Sequence, residues 1–152
     1  MKISTKGKYG LRAMIDLAQY SEQEAVSISS IAQRQKISES YLEQLVAKLK
    51  KAGLVVSIRG AAGGYRLARP ASGISVGDVL RALEGDVRAV ICTAQTEEGC
   101  EGEELCVTKY VWQRINESIE KTVDEMILDQ LVAESRKAQE KAKNHDVDYS
   151  RN

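Results

Sequence analysis

Apolar residues recur at helical spacing over residues 9–20, where Leu11, Met14, Ile15, Leu17 and Ala18 fall on one face. The polar segment SEQEAVS interrupts that pattern. Ser27 then caps a short predicted helix over 28–35, with Ile28, Ile31 and Ala32 together. QKI makes a tight turn. Ser38 caps a further helix over 39–52, with Glu39 in its first turn and Leu42, Leu45, Val46 and Leu49 as its apolar stripe. Lys48, Lys50 and Lys51 load the C-terminal end of that helix and Gly53 stops it. The period then switches from helical to strand-like. LVVSI (54–58) is β-branched, RGAAGG (59–64) is a glycine-rich turn and YRLA (65–68) is a second short strand.

Two short helices followed directly by a β-hairpin predict a winged helix-turn-helix, with the 39–52 helix as the recognition helix and the hairpin as its wing. The remainder is helical. Pro70 and ASG mark a linker. Ser75 and Asp78 form a capping-box pattern for a helix over 76–85 with Val76, Val79, Leu80 and Leu83 inward. A long helix is predicted over 107–129, where Val111, Ile115, Ile119, Thr122 and Met126 step by 4, 4, 3 and 4, close to a coiled-coil seam. LDQLVAESRKA forms a further short helix. The polar residues 139–152 read as a frayed tail. The fold class is therefore mainly α with a small β-hairpin. The expected divisions are a DNA-binding domain at 1–70, a connecting helix and cysteine loop at 71–106, a dimerisation helix and short following helix at 107–136, and a flexible tail at 137–152.

Charge sharpens this picture. The chain is neutral overall, with 22 Lys/Arg and 22 Asp/Glu in 152 residues. Residues 1–70 nevertheless hold 12 basic and 5 acidic side chains, and residues 71–152 hold 10 and 17. A basic front half is the electrostatic footprint of a polyanion binder, although segregated surface charge alone gives the same count. Apolar runs stop well short of the roughly 18 residues that a membrane helix needs. MKISTKGKYG lacks the apolar stretch of a secretion signal, so a cytoplasmic protein without a membrane partner is expected.

The candidate chemistry is concentrated in CTAQTEEGCEGEELC, which holds all three cysteines: Cys92, Cys100 and Cys106. An odd count in a short acidic loop is a poor disulfide framework, and a reducing compartment favours thiols as ligands or redox groups. Soft sulfur donors select zinc or iron–sulfur clusters. Zinc on three thiolates and a carboxylate, an iron–sulfur cluster, and free oxidant-sensing thiols all remain open on the residues alone. The loop carries Glu97, Glu98, Glu101, Glu103 and Glu104 as further donors; His145, the single histidine, is far along in the tail. No catalytic constellation is present, which argues against an enzyme.

Four segments carry a resemblance to a known family. MKISTKGKYGLRAM, ISESYLEQLVAKLKKAGLV, SIRGAAGGYRLA and ISVGDVLRALEG resemble the IscR/NsrR/CymR family of bacterial winged-helix transcription regulators, over about residues 1–135. The resemblance implies a homodimer that binds double-stranded operator DNA. It also implies an iron–sulfur cluster on Cys92, Cys100 and Cys106, supplied by cluster donor proteins, with 2Fe–2S expected before 4Fe–4S. The output implied is cluster-dependent control of iron–sulfur biogenesis genes. The alternatives within the family are a nitric oxide or redox sensor of NsrR type and a cysteine-metabolism repressor of CymR type. The fourth ligand departs from the pattern. IscR-like chains place a histidine three residues after the last cysteine, where this chain has Lys109. NsrR-like chains place an aspartate near position 8, where this chain has Lys8.

The expected DNA contacts follow from the winged-helix geometry. Ser38, Ser40, Tyr41, Glu43 and Gln44 lie on the N-terminal half of the recognition helix, within reach of base edges. The resemblance links Glu43 to cluster-dependent site choice. Lys6, Lys8, Tyr9, Lys48 and Lys50 are expected at phosphates. Arg59 and Arg66 flank the glycine-rich turn, and Arg59, with Gly60, Gly63, Gly64 and Tyr65, forms a wing tip suited to the minor groove.

Overall fold

A computed structural model describes residues 2–92 and 99–149 of the chain. Helix α1 spans Thr5–Tyr20, α2 Ile28–Gln35 and α3 Glu39–Lys51. Strands β1 (Val55–Ile58) and β2 (Gly64–Leu67) form an antiparallel hairpin in which Val55 pairs with Leu67 and Ile58 with Gly64. A 3-10 turn at Ala71–Gly73 leads to α4 (Val76–Glu84), and α5 (Thr108–Glu125) and α6 (Leu128–Tyr149) complete the chain.

The helix starts are written in local chemistry. The hydroxyls of Ser27, Ser38 and Ser75 accept from the backbone N–H three residues on, and Ser75 with Asp78 makes both halves of the capping box. Lys36, in the left-handed conformation, ends α2 and sets the turn of the helix-turn-helix. The main core joins Met14 and Leu17 of α1, Ile31 of α2, Leu42, Leu45 and Leu49 of α3, and Val55 of the wing. Leu128 of α6 also enters it. Asp16 is buried in this core and accepts two bonds from the Arg34 guanidinium, at 2.7 and 2.9 Å, and one from Gln35 at 2.9 Å.

Four boundaries differ from the sequence pattern. First, α1 begins at Thr5, not at residue 9, because Ser4 caps it. Second, Val26 pairs with Tyr65 as a third, single-residue strand of the wing sheet, through bonds of 2.9 and 2.8 Å. Third, the long helix expected to reach residue 129 stops at Glu125. Ser75 bridges Ile127 there, Val76 N–H donates to the Met126 carbonyl at 2.8 Å, and Leu128 N–H donates to the Ile74 carbonyl at 2.9 Å. Met126 is pulled into an extended conformation by this pairing. Fourth, the polar stretch expected as a flexible tail from residue 137 continues α6 as helix to Tyr149. Its root is fastened to α1: Gln19 donates to Gln139, Gln139 to the Tyr20 hydroxyl, and Ser135 to Gln19. Residues 150–152 lie outside the described residues.

Candidate nucleic-acid interface and cysteine loop

The exposed face of α3 carries Ser40, Glu43, Gln44 and Lys48, because its opposite face is taken by Leu42, Leu45, Val46 and Leu49. Ser38 is also exposed, but its oxygen already accepts the Tyr41 N–H at 3.3 Å as the helix cap. The first turns of α1 lie beside this helix. Tyr9 and Tyr41 meet edge to face with ring centroids 6.1 Å apart, and the Tyr41 hydroxyl lies 3.4 Å from Thr5 Oγ1. Arg12 sits over the Tyr9 ring, 5.3 Å from its centroid. Both tyrosines are half-buried, so their rings fix the α1–α3 angle while their edges stay available.

Lys6 and Lys48 come together from α1 and α3. The positive charge of Lys6 holds the Lys48 ammonium below its ordinary range, with Glu84 acting weakly in the other direction. Both line one surface groove, and neighbouring cations of this kind suit a phosphate position. Lys8 is exposed on the same N-terminal turns. Lys50 is diverted, donating to Ser57 Oγ of the wing at 2.9 Å.

The wing tip is Arg59–Gly63. Arg59 is exposed, and Gly60 has φ +109°, which a residue with a side chain adopts only with strain. A Cβ on Gly63 would collide with the Ile58 carbonyl oxygen, and one on Gly64 would stand 2.5 Å from the Val26 carbonyl oxygen. These glycines therefore let the backbone close tightly enough to present Arg59. Arg66 faces elsewhere, donating to the Glu22 carbonyl at 3.0 Å. The Tyr65 ring packs against the core.

The cysteine loop joins α4 to α5. Its residues 93–98, including Glu97 and Glu98, lie outside the described residues. Cys92 and Cys106 are half-buried, Cys100 is exposed, and all three are free thiols. Cys106 stands at the start of α5. The Thr108 hydroxyl, 3.2 Å from its sulfur, and the backbone N–H groups of Lys109 and Thr108 hold its thiol below the ordinary cysteine range. A sulfur already inclined to the thiolate fits the donor chemistry of an iron–sulfur or zinc site. Among the described residues the three thiols are not gathered into a ready metal-binding group. Lys109, at the position of the histidine that the resemblance anticipates, donates its ammonium to the Glu103 carbonyl at 2.7 Å.

One residue of this region carried no motif signal. Asn116, on the inner face of α5 and 4% exposed, receives the N–H groups of Ala89 and Val90 at 2.9 and 3.3 Å and donates to the Val90 carbonyl at 2.7 Å. Only a buried asparagine among apolar neighbours on a helix hints at such a bond in sequence. The outer side of the same helix leaves Tyr110, Val111 and Ile115 exposed, next to Leu105 and Val107. Ile119 and Val123 turn inward against Val76, Leu80 and Val87. The seam expected along α5 is thus split, with Ile119 packed within the chain and Val111 and Ile115 left open.

Comparison with known proteins places this arrangement. The Rrf2 family, described as an iron-dependent transcriptional regulator, matches residues 3–134. The HTH-type transcriptional regulator IscR of Pectobacterium carotovorum subsp. carotovorum (strain PC1) is 39% identical over 151 residues, covering 99% of this chain and 90% of that protein. Among solved structures, T. potens IscR is 46% identical with a TM-score of 0.72, covering 91% of each chain. CymR (YrzC), the global cysteine regulator of B. subtilis, is 42% identical with a TM-score of 0.72, covering 88% of this chain and 97% of that one. These relatives are regulators, not enzymes. With a winged helix-turn-helix, a basic face shared by α1 and α3, and a match spanning nearly all of the chain, this protein belongs to the Rrf2 family of transcriptional regulators.

Proposed function

We propose that the chain acts as a homodimeric, sequence-specific DNA-binding regulator in the cytoplasm, and that it senses an iron–sulfur cluster, 2Fe–2S in the first instance, held by Cys92, Cys100 and Cys106. The observation that carries the sensor reading is the seat of Cys106. Its sulfur lies among the first N–H groups of α5, the helix whose open face offers Val111 and Ile115 to a second copy. Similarity to IscR proteins supports control of iron–sulfur biogenesis genes as the output, with cluster donor proteins as upstream partners. A bound cluster would supply a charge- and oxidation-sensitive tie between the segment after α4 and the first turn of α5.

The chain's own residues then divide the work. Gln44 and Glu43 select bases, Gln44 through a bidentate amide contact to adenine and Glu43 by accepting from cytosine. Ser38, Ser40 and Tyr41 frame the same edge of the groove. Lys6, Lys8, Tyr9 and Lys48 hold phosphates, and Arg59, carried by Gly60, Gly63, Gly64 and Tyr65, enters the minor groove. Occupancy of the three thiols shifts the dimer helix, and with it the spacing of the two recognition helices.

A second reading is favoured by Lys109, which stands where a histidine ligand is expected and is engaged with Glu103. In it, the three thiols carry no cluster and sense oxidants directly, or the chain regulates cysteine metabolism in the manner of CymR (YrzC), the global cysteine regulator of B. subtilis. Anaerobic purification followed by visible absorption separates the readings. A broad sulfur-to-iron band that vanishes on chelation supports the cluster, and a colourless protein with three titratable thiols supports the alternative.

A further inference from the structure

We propose that Glu84 is a fixed counter-charge in the phosphate groove, and that it holds the affinity of this face for DNA of any sequence below what its lysines alone would give. The proposal deepens the reading of Lys6 and Lys48 as phosphate contacts and rests on it. Lys6 of α1, Lys48 and Lys51 of α3, and Glu84 at the end of α4 line one surface groove. The opening turn of α1 fixes the carboxylate there. Its Oε1 accepts the Ser4 N–H, the Ser4 hydroxyl and, at 3.0 Å, the Gly7 N–H. Gly7 is the chain neighbour of Lys6, so the negative charge is anchored at the root of that lysine. Bonds from Ser4, ahead of the charge on Lys6, hold the Glu84 carboxyl below its ordinary range. At Lys48, Lys6 pushes the ammonium down and Glu84 acts in the other direction.

Among the described residues, Glu84 nevertheless forms an ion pair with none of the three lysines. A carboxylate paired with a surface lysine swings with it and steps aside when a phosphate arrives. Glu84 is committed to the donors of a helix N-terminus and moves only by uncapping that helix. A phosphate drawn in by Lys6 and Lys48 therefore meets a negative charge that stays in place. For like charges about 6–8 Å apart near a wetted surface, Coulomb repulsion lowers affinity about three- to tenfold at low salt, and less as ions shorten the screening length. The repulsion acts on the phosphate contact, so it carries no information about base sequence.

The test is binding of the full-length protein, kept anaerobic, to a duplex of random sequence, read by fluorescence anisotropy across graded salt. Glu84→Gln removes the charge and keeps an Oε1 acceptor for Ser4 and Gly7. It should tighten binding about three- to tenfold at low salt, with a gain that shrinks as salt rises. In a Lys6→Ala/Lys48→Ala background the same substitution should change binding by less than about twofold. Ser4→Ala, which loosens the cap and leaves the charge, should not tighten binding. Unchanged or weaker binding by Glu84→Gln overturns the proposal, and the phosphate reading stands if Lys6→Ala/Lys48→Ala still weakens binding. An equal gain with and without the two lysines, or a gain that Ser4→Ala reproduces, overturns it as well. If the lysine double variant binds as tightly as wild type, the phosphate reading falls and the proposal with it. If Glu84→Gln does not fold, Ala52→Glu serves in its place, since Ala52 is exposed on the rim of the same groove. That added carboxylate should weaken binding about three- to tenfold, and no change there overturns the proposal.

Discussion

Glu84 of the connecting helix caps the first helix of the DNA-binding domain across the fold. Its Oε1 accepts from the Ser4 backbone N–H at 2.9 Å, the Ser4 hydroxyl at 2.6 Å and the Gly7 N–H at 3.0 Å. The helix that leads to the cysteine loop thus holds the N-terminal turn that carries Lys6 and Lys8. Bonds from Ser4, ahead of the opposing cost of burial, keep the Glu84 carboxyl below its ordinary range. A lowered folded-state value means that this stabilisation is complete above the ordinary glutamate range and is lost as pH falls through the lowered value. Glu84→Ala should cost about 1–3 kcal/mol. The difference in denaturation midpoint from wild type should be full at neutral pH and shrink under strong acid. A midpoint difference that persists unchanged in acid would remove the charge from the explanation.

Asp16 and Arg34 form a one-sided burial: the Asp16 side chain is fully buried, whereas the Arg34 side chain is 33% exposed. Arg34 also lies over the Tyr20 ring, 4.2 Å from its centroid. Arg34→Met strands a buried carboxylate and should destabilise by about 3–5 kcal/mol. Adding Asp16→Leu to that variant should recover part of the loss, because no charge is then left inside. Urea denaturation of the single and double variants decides it, and a double variant weaker than the single contradicts the account.

The winged helix was legible because its signals are local. Ser27, Ser38 and Ser75 each sit at the residue they cap, and the apolar stripe of α3 needs only its own period. What escaped the sequence is non-local. The Glu84–Ser4 cap spans 80 residues and the Asn116–Val90 clamp spans 26. Nothing at Met126 breaks a helix by composition. The break comes from backbone pairing with residues 74–76, a strand-like contact that alternation cannot flag in one or two residues. Beyond the apolar anchors Leu128 and Val132, the polar part of α6 is likewise fastened by side-chain hydrogen bonds between Gln139 and both Gln19 and Tyr20, so its sequence reads as tail. Of the candidate site, the three cysteines and the α3 face were legible by residue type. The diversion of Arg66 and Lys50 into structural bonds was not.

Lys6 and Lys48 line one surface groove from two helices, which predicts a shared phosphate contact. The double variant Lys6→Ala/Lys48→Ala should weaken binding to every duplex by a similar factor. It should also reduce the slope of log affinity against log salt by about 1–2. Gln44→Ala should instead relax preference at one base step, with a loss of about 1–3 kcal/mol on the preferred sequence and an unchanged salt slope. Salt-graded titrations against preferred and random duplexes distinguish the two patterns.

Val111 and Ile115 lie open on α5 while Ile119 packs inward, which predicts that the outer stripe is the contact with a second copy. Ile115→Glu should convert the dimer to monomer in analytical ultracentrifugation with the far-ultraviolet spectrum preserved. A dimer that survives Val111→Glu/Ile115→Glu at micromolar concentration would place the interface elsewhere.

Occupancy of Cys92, Cys100 and Cys106 should change how α3 reads DNA. The direct measurement is anaerobic binding to a duplex selected from a randomised pool, made with cluster-loaded protein, with the same preparation after chelation, and with a Cys92→Ala/Cys100→Ala/Cys106→Ala variant. Chelation should shift affinity or sequence preference by about fivefold or more, and the triple variant should match the chelated protein on every duplex. Identical isotherms for all three proteins on every selected sequence would contradict it.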